Sequence, residues 1–423
     1  MKILRKKVVL AVDTKVNEQF LPLLLGSDIN VYGMARSFHE AYGTISEAHG
    51  AGQLSPTKYS KIVNVHSHPG FSEPEGFMKV MRELMAQYKD DPRKIILVPC
   101  GDGYTALITH NKEELSQRFI CPTVDAKTQE TLEDKAVFYE TCEKYGLPYP
   151  DTLIITKDMV EKNSSVELPF GFPVALKPSD SVEYLDVDFE GRKKAFILYS
   201  QEEVDDILAK VYQAGYTSEM ICQNFIPGDD SRMRVLNAYV DHNHNVRMMY
   251  LGHPLLEDPT PEAVGNYVAI MPDYNEKVFD QMKNFLEKIE YVGFANFDMK
   301  YDERDGEYKL FEINLRQGRS SFCVTLGGYN LAKYLVEDYV LETPFTETTY
   351  AQGDKLWLGV PKKILKQYIA EGPDKERATQ YLTENKYGNT LYYKKDMNLK
   401  RYLLVKRIFY LYHDRYKKYF RKK

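Results

Sequence analysis

The chain has 423 residues, 43% of them hydrophobic and 28% charged, enough for two or three packed domains with sizeable cores. That balance excludes a disordered chain, and no run approaches the roughly 20 apolar residues that a membrane span needs. A net charge of −5 argues against a general nucleic-acid binder. The five cysteines (Cys100, Cys121, Cys142, Cys222, Cys323) are scattered without a CxxC pair and read as reduced thiols of a cytoplasmic protein.

The basic opening leads into Val8–Val12, expected as a strand rather than a secretory signal, because the apolar run is short and lacks a small-residue cleavage site. Ile29–Tyr32 and Ile62–Val65 read as further short strands, and Gly76–Tyr88 as a helix. Ile95–Val98 reads as a buried strand ending in Gly101-Asp102-Gly103, a place where open α/β sheets hold ligands. Strands separated by helical stretches imply a parallel sheet. The turn after the first strand has no GxGxxG, so a dinucleotide fingerprint is absent. Thr131–Tyr145 reads as one helix, closed by Gly146 and stopped by Pro148.

Pro173–Lys177 is expected as a strand, followed by a polar stretch, Ser179–Lys194, and a return to strand at Ala195–Tyr199. Glu202–Ala214 has helical period. Strands follow at Met220–Ile226, Arg234–Val240 and Val246–Leu251, the last two joined by a turn over residues 241–245. Phe279–Ile289 reads as a helix, and Gly293–Tyr301 with Tyr308–Asn314 as a strand pair. There is no internal repeat or low-complexity segment.

Alternate residues of a strand share a face, so Glu312 and Asn314 point the same way, and a hairpin can bring Asp298 beside them. Two carboxylates and an amide oxygen form a hard donor set suited to magnesium, although a solvated acidic face has the same pattern. Lys177, before Pro178 and a polar loop, is placed to neutralise phosphates, with Ser179 and Ser181 adding hydroxyl donors. A surface lysine at a strand end is the plainer reading. The run Gln223-Asn224-Phe225-Ile226-Pro227-Gly228 can offer backbone donors and acceptors to a planar base, with Phe225 or Ile226 lining its pocket. His66 and His68, expected in a loop before Pro69-Gly70, are discounted as a metal pair, and His242 and His244 as solvated turn residues.

In combination and order, Lys135, Lys177, Gln223–Gly228, Asp298 and Glu312-Ile313-Asn314 resemble the ATP-grasp superfamily of carboxylate–amine ligases. Within it the chain is most similar to the D-aspartate ligases of peptidoglycan synthesis. That similarity rests on Tyr32 to Glu40, on Lys177 to Tyr184 with Phe189-Glu190-Gly191, and on Asn314-Leu315-Arg316. The implied α/β architecture is an N-terminal parallel-sheet (pre-ATP-grasp) domain over 1–125, an ATP-grasp domain of two α+β subdomains over 126–345, and a basic helical extension over 346–423.

By the same resemblance Lys135 and Lys177 contact ATP phosphates, and Ser179–Lys194 closes over them. Gln223 faces the adenine amino group, backbone atoms of Asn224 and Ile226 complete the base contacts, and Asp229 or Asp230 lies near the ribose. Asp298, Glu312 and Asn314 bind Mg2+, with Mn2+ as a substitute. Arg316 neutralises the transferring phosphoryl group, a role suited to its permanently charged fork. Gln223 departs from the family, where many relatives carry Glu. The match also gives Arg36, Ser37, His39 and Glu40 a substrate-recognition role, against a helix N-terminal surface.

The expected function is activation of an amino-acid carboxylate as an acyl phosphate and its transfer to an amine. The pair implied is D-aspartate and the lysine side chain of a nucleotide-linked wall peptide. Alternatives are a ligase for another amino acid or peptide, a non-catalytic nucleotide-binding protein, and a membrane-surface scaffold. The last rests on residues 400–423, where ten Lys/Arg face one acidic residue, Asp414, with apolar and aromatic residues between them. Leu404, Ile408, Leu411, Tyr412, Arg415 and Tyr419 recur at helical spacing. Such a helix either packs on the protein or lies on an anionic membrane at the inner face of the cell.

Overall fold

The computed structural model describes residues 16–163, 165–180, 183–263, 265–343 and 346–420. The expected strand Val8–Val12 and Ser181 lie outside them. The chain forms two compact units. One contains the residues up to Ala126, Leu236–Asn296 and the chain from Asn314 onward; the other contains Lys127–Val235 and Phe297–Ile313.

The first unit opens with a parallel sheet of β1 (Phe20–Leu25), β2 (Ser46–Gly50), β3 (Val63–Ser67) and β4 (Lys94–Pro99), in the order β3-β2-β1-β4. β1 is buried along its whole length, as expected for a strand covered on both faces. Its Pro22 is tolerated because of register. Lys94 N–H donates to Gln19 O at 2.9 Å and Cys100 N–H to Leu25 O at 3.1 Å, so odd residues bond β4. Pro22 therefore faces β2, whose pairing starts only at Leu23, and its missing N–H costs no ladder bond. The helix Pro74–Gln87 packs Phe77, Met81 and Leu84 against Leu23, Leu25, Ile95 and Leu97.

Ile29–Tyr32, expected as a strand, is the first turn of the helix Ile29–Tyr42. The Asp28 side chain accepts from Asn30 N–H at 2.9 Å and Val31 N–H at 3.3 Å, an N-cap that outweighs the β-branched composition of the turn. The helix ends at Gly43, whose φ of 71° suits glycine.

The second unit carries β5 (Thr152–Ile155), β6 (Val174–Pro178), β7 (Phe196–Leu198) and β8 (Met220–Asn224) in the antiparallel order β5-β8-β6-β7. The helix Gln201–Gln213 buries Val204, Leu208 and Val211 in a core with Val174, Leu176 and Cys222. The single helix expected over Thr131–Tyr145 is two, Ala126–Glu133 and Lys135–Tyr145. Asp134 interrupts them by capping Val137 N–H at 2.9 Å, which makes Lys135 the first residue of a new helix.

The third sheet takes β9 (Met233–Val240), β10 (Val246–Glu257), β11 (Tyr267–Asp273), β12 (Gly293–Asp302), β13 (Glu307–Asn314), β14 (Thr349–Ala351), β15 (Leu356–Leu358) and β16 (Tyr387–Gly388). Its order is β13-β12-β9-β10-β11-β15-β16, with β14 beside β10. The turn before β10 is built on Asp241, which accepts from Asn243 N–H and Asn245 N–H, each at 2.9 Å. His242 and His244 are not simply solvated: His242 Nδ1 pairs with Asp338, and His244 Nδ1 lies 3.2 Å from Tyr291 O.

The basic C-terminal segment is the helix Leu399–Tyr419, packed on the first unit. Its inward stripe is Arg401, Val405, Ile408, Tyr412 and Tyr416, which shares Ile408 and Tyr412 with the stripe expected, and Leu411 is exposed. Arg401 is fully buried, 3.1 Å from Asp396, and its Nη1 donates to Lys58 O at 2.9 Å. Tyr32 O–H and Ser60 O–H also donate to Asp396, at 2.8 and 2.9 Å. Tyr416 O–H donates to Glu257 O at 2.6 Å, and Arg415 meets Asp258 at 2.9 Å.

Candidate active site

In the second unit, β6 delivers Lys177 from one side and the N-terminus of the helix Lys135–Tyr145 delivers Lys135 from another. Burial, and then the neighbouring Lys135 charge, bring the Lys177 ammonium down to about 8; Glu312 opposes them. Lys135 is lowered by burial, with Glu312 opposing and Lys194 adding to the effect. Two half-buried ammonium groups beside one carboxylate leave positive charge in search of an anion, which suits polyphosphate. Exposed Lys194, at the end of the polar stretch, adds its positive charge to this neighbourhood.

That stretch is more ordered than an open loop. Tyr184 and Val187 enter the core, and Arg192 donates to Tyr184 O at 2.7 Å. Glu183 accepts from Thr217 N–H at 2.7 Å and Ser218 N–H at 3.2 Å, fastening the turn Glu183–Asp186 to the strand-β8 side. Ser179 N–H donates to Glu219 O at 3.0 Å, and its hydroxyl to the Glu219 carboxylate at 3.3 Å.

Gln223 lies on β8 opposite Thr152 and Ala175, with Nε2 donating to Thr152 Oγ1 at 2.9 Å. Asn224 Nδ2 donates to Asp151 at 3.1 Å, and its Oδ1 accepts from Arg304 at 3.0 Å. Phe225 N–H donates to Pro173 O at 3.2 Å, and Ile226 is buried. Buried Lys300 donates to Ile226 O at 2.8 Å and Gly228 O at 2.6 Å, with its ammonium 5.1 Å from the Phe225 ring centroid. It fixes the 223–228 segment, yet nothing in the sequence near Asp298 marked it. Asp229 caps Ser231 N–H at 3.0 Å, and Asp230 opens the short turn that follows.

β12 and β13 form a hairpin. Asn314 Nδ2 approaches Asn296 Oδ1 at 3.4 Å, so two residues along each strand Glu312 comes opposite Asp298 on the same face. Asn314 Oδ1 in turn accepts from Arg316 Nη2 at 3.4 Å. Two carboxylates and an amide oxygen are hard ligands, so this donor set fits magnesium.

In the first unit, Arg316 donates from Nη2 to Asp102 at 2.7 Å and from Nη1 to Gln317 O at 3.2 Å. Asp102 thus takes part by holding the guanidinium. Gln317 donates to Pro99 O at 2.9 Å and accepts at its carbonyl from Asn30 Nδ2 at 2.9 Å, pinning the 315–321 loop at the carboxyl end of β4. Asn237, Asn296 and Ser321 form a buried polar network beneath it, with Asn296 Nδ2 donating to Asn237 at 3.1 Å.

The Arg36 cluster makes its contacts within the protein. Arg36 gives its donors to Glu40 and to the carbonyls of Asn389 and Thr390, each at 2.7 Å, and lies over the rings of Phe322 and Tyr393. Ser37 bonds Gly33 O and Thr325, and His39 bonds Tyr393 at 2.9 Å. Arg36 and His39 thus hold the C-terminal extension. His66 lies on β3, not in a loop; His49 stacks between it and His68, with ring centroids 4.8 and 5.2 Å apart. Stacked rings do not converge on a point, and among the described residues no His, Cys, Asp or Glu group gathers to hold a metal.

No family profile matches the chain. It is 62% identical over 410 residues to the D-aspartate ligase of Enterococcus faecium (strain Aus0004), covering 96% of this chain and 97% of that one. It is 22% identical over 240 residues to the carbamoyl phosphate synthase large chain of Agathobacter rectalis, 53% of this chain and 21% of that one. Two solved structures share the fold. The biotin carboxylase domain of Hydrogenobacter thermophilus 2-oxoglutarate carboxylase has a TM-score of 0.58 at 13% identity, over 79% of this chain and 73% of that one. The L-amino acid ligase of Bacillus licheniformis has a TM-score of 0.53 at 14% identity, over 75% and 73%. With a nearly full-length match at that identity and an ATP-grasp architecture, this chain belongs to the D-aspartate ligase family of ATP-dependent carboxylate–amine ligases.

Proposed function

We propose that this protein activates a carboxylate of D-aspartate as an acyl phosphate and joins it to the lysine side-chain amine of a nucleotide-linked peptidoglycan precursor. The 62% identity to a D-aspartate ligase along the whole chain carries the reading. A carboxylate resists attack by an amine, so one of its oxygens first takes the γ-phosphoryl group of ATP. The amine then forms the C–N bond and phosphate leaves with the C–O bonding pair. Lys135, Lys177 and Lys194 hold phosphate charge, and Arg316, oriented by Asp102, offsets the charge that moves with the phosphoryl group. Asp298, Glu312 and Asn314 would hold magnesium, or manganese in its place, which withdraws charge from phosphate oxygens. The Gln223–Gly228 segment, with Asp230 beyond it, would receive the base and ribose.

Acyl phosphates hydrolyse readily, so water must be kept out; residues 179–194 are the segment we assign to that task. We also take residues 126–345 as the ATP-grasp domain proper and place the enzyme in the cytoplasm, where its five buried free cysteines stay reduced. The test is ADP release across a set of amino acids, with and without wall precursors. D-aspartate together with a lysine-containing precursor should give the fastest turnover, and L-aspartate little. Faster turnover with another amino acid would replace the substrate, and turnover without a carboxylate would overturn the ligase reading.

A further inference from the structure

The helix Leu399–Tyr419 has two faces with different duties. Its inner stripe is committed to the protein through Arg401, Val405 and Tyr416. Opposite that stripe, Leu399, Leu403 and Tyr410 are 74%, 57% and 64% exposed, unusually high for large apolar side chains in one row. Spacings of four and seven residues put all three on one face, and Lys406 and Lys417 fall on the same line with Arg407 beside it. The helix is about 30 Å long at 1.5 Å per residue, so this is an extended ridge rather than a spot. The ridge is basic on a chain whose net charge is −5.

We propose that this ridge docks the enzyme on an anionic lipid surface. Leucine and tyrosine at the apex with lysine and arginine alongside is the arrangement an interfacial helix uses: apolar groups enter the acyl boundary while cations meet headgroup phosphates. A nucleic-acid phosphate backbone would use the cations and leave the leucines wet, so lipid is the better match. The inner stripe holds the ridge rigid, and no ordering of a free tail is needed on binding. Among the described residues no helix is long and apolar enough to cross a membrane, so the contact is peripheral. The proposal does not depend on which amino acid the enzyme ligates.

The test is flotation of the full-length protein with phosphatidylcholine vesicles, with and without phosphatidylglycerol, at low and high salt. Binding should require phosphatidylglycerol and weaken with salt. Leu403→Ser with Tyr410→Ser, and separately Lys406→Glu with Arg407→Glu, should each weaken partitioning by roughly tenfold or more. ADP formation in solution should stay at the wild-type level in both, which separates lost docking from lost folding or catalysis. Wild-type protein that ignores anionic vesicles, variants that bind as the wild type does, or tighter binding to duplex DNA than to vesicles would each overturn the proposal.

Discussion

Lys177 shows how a single titration can report on function. Its ammonium is brought from 10.5 down to about 8 by burial and by Lys135. Nucleotide phosphate beside it would restore the higher value, so binding near pH 8 takes up a proton. Affinity gained this way is fully present below pH 8 and is lost as pH rises toward the bound-state value, at roughly tenfold per unit. Calorimetry of a non-hydrolysable ATP analogue in buffers of different ionisation enthalpy should show proton uptake at pH 8; Lys177→Met should remove it. Asp298→Asn and Glu312→Gln address the paired carboxylates. Each should cut turnover by about 10³-fold or more while leaving circular dichroism and thermal melting unchanged. Near wild-type rates in either would remove that residue from the metal set. The sequence reading reached these side chains through spacing and order. It did not reach Lys300, and it marked Asp102 only as part of a turn where ligands collect, because each meets a partner distant in sequence.

At the scale of elements, one cap decides where the helix that opens with Lys135 begins. Asp134 ends one helix and starts the next, and Lys135 then sits where the helix dipole is positive. Asp134→Ala should cost about 1 kcal/mol in urea unfolding and also weaken nucleotide binding, because the first turn is no longer fixed. A stability loss with unchanged affinity would assign Asp134 a purely structural part. Strand β1 is the opposite lesson. Phe20–Leu25 escapes a pattern reading because Pro22 breaks it, and only the register against β2 and β4 shows why proline fits. Ile29–Tyr32 was misread as strand by composition, since the competing cap at Asp28 is a hydrogen bond and not a periodicity.

At the scale of the molecule, the C-terminal extension carries a buried ion pair of its own, and hydrogen bonds from Tyr32, Ser60 and Lys61 and to Lys58 O tie that pair to the N-terminal part of the first unit. Asp396 and Arg401 are both inaccessible to solvent; Tyr32, Ser60 and Lys61 donate to Asp396, and Arg401 Nη1 donates to Lys58 O. Removing one partner strands the other charge in a low-dielectric interior, so Asp396→Ala or Arg401→Met should each cost about 3–5 kcal/mol. Chemical denaturation of the full-length enzyme measures this. A change under about 1 kcal/mol in both would show that apolar packing alone holds the extension. The motif match could not have foretold these links, since Arg36 and His39 drew attention as substrate residues, and both bind the chain's own C-terminal segment.

By itself the sequence determined the class of chemistry through the family resemblance: residue type, spacing and order at Lys177, Asp298, Glu312, Asn314 and Arg316 are local quantities that a strand or hairpin preserves. It also determined elements with a clear apolar period, such as the helix Gln201–Gln213 and the strands β12 and β13, because that period is written along the chain. Tertiary structure alone decided which charges meet. The Lys177 ammonium is lowered by Lys135, 42 positions away, Arg316 is held by Asp102, 214 positions away, and Arg36 is spent on carbonyls more than 350 positions away. Such pairs leave no trace in a linear pattern, since burial and proximity are properties of the packed chain. The same limit applies to the last helix, whose sequence showed both apolar and basic residues but not which face the protein would claim.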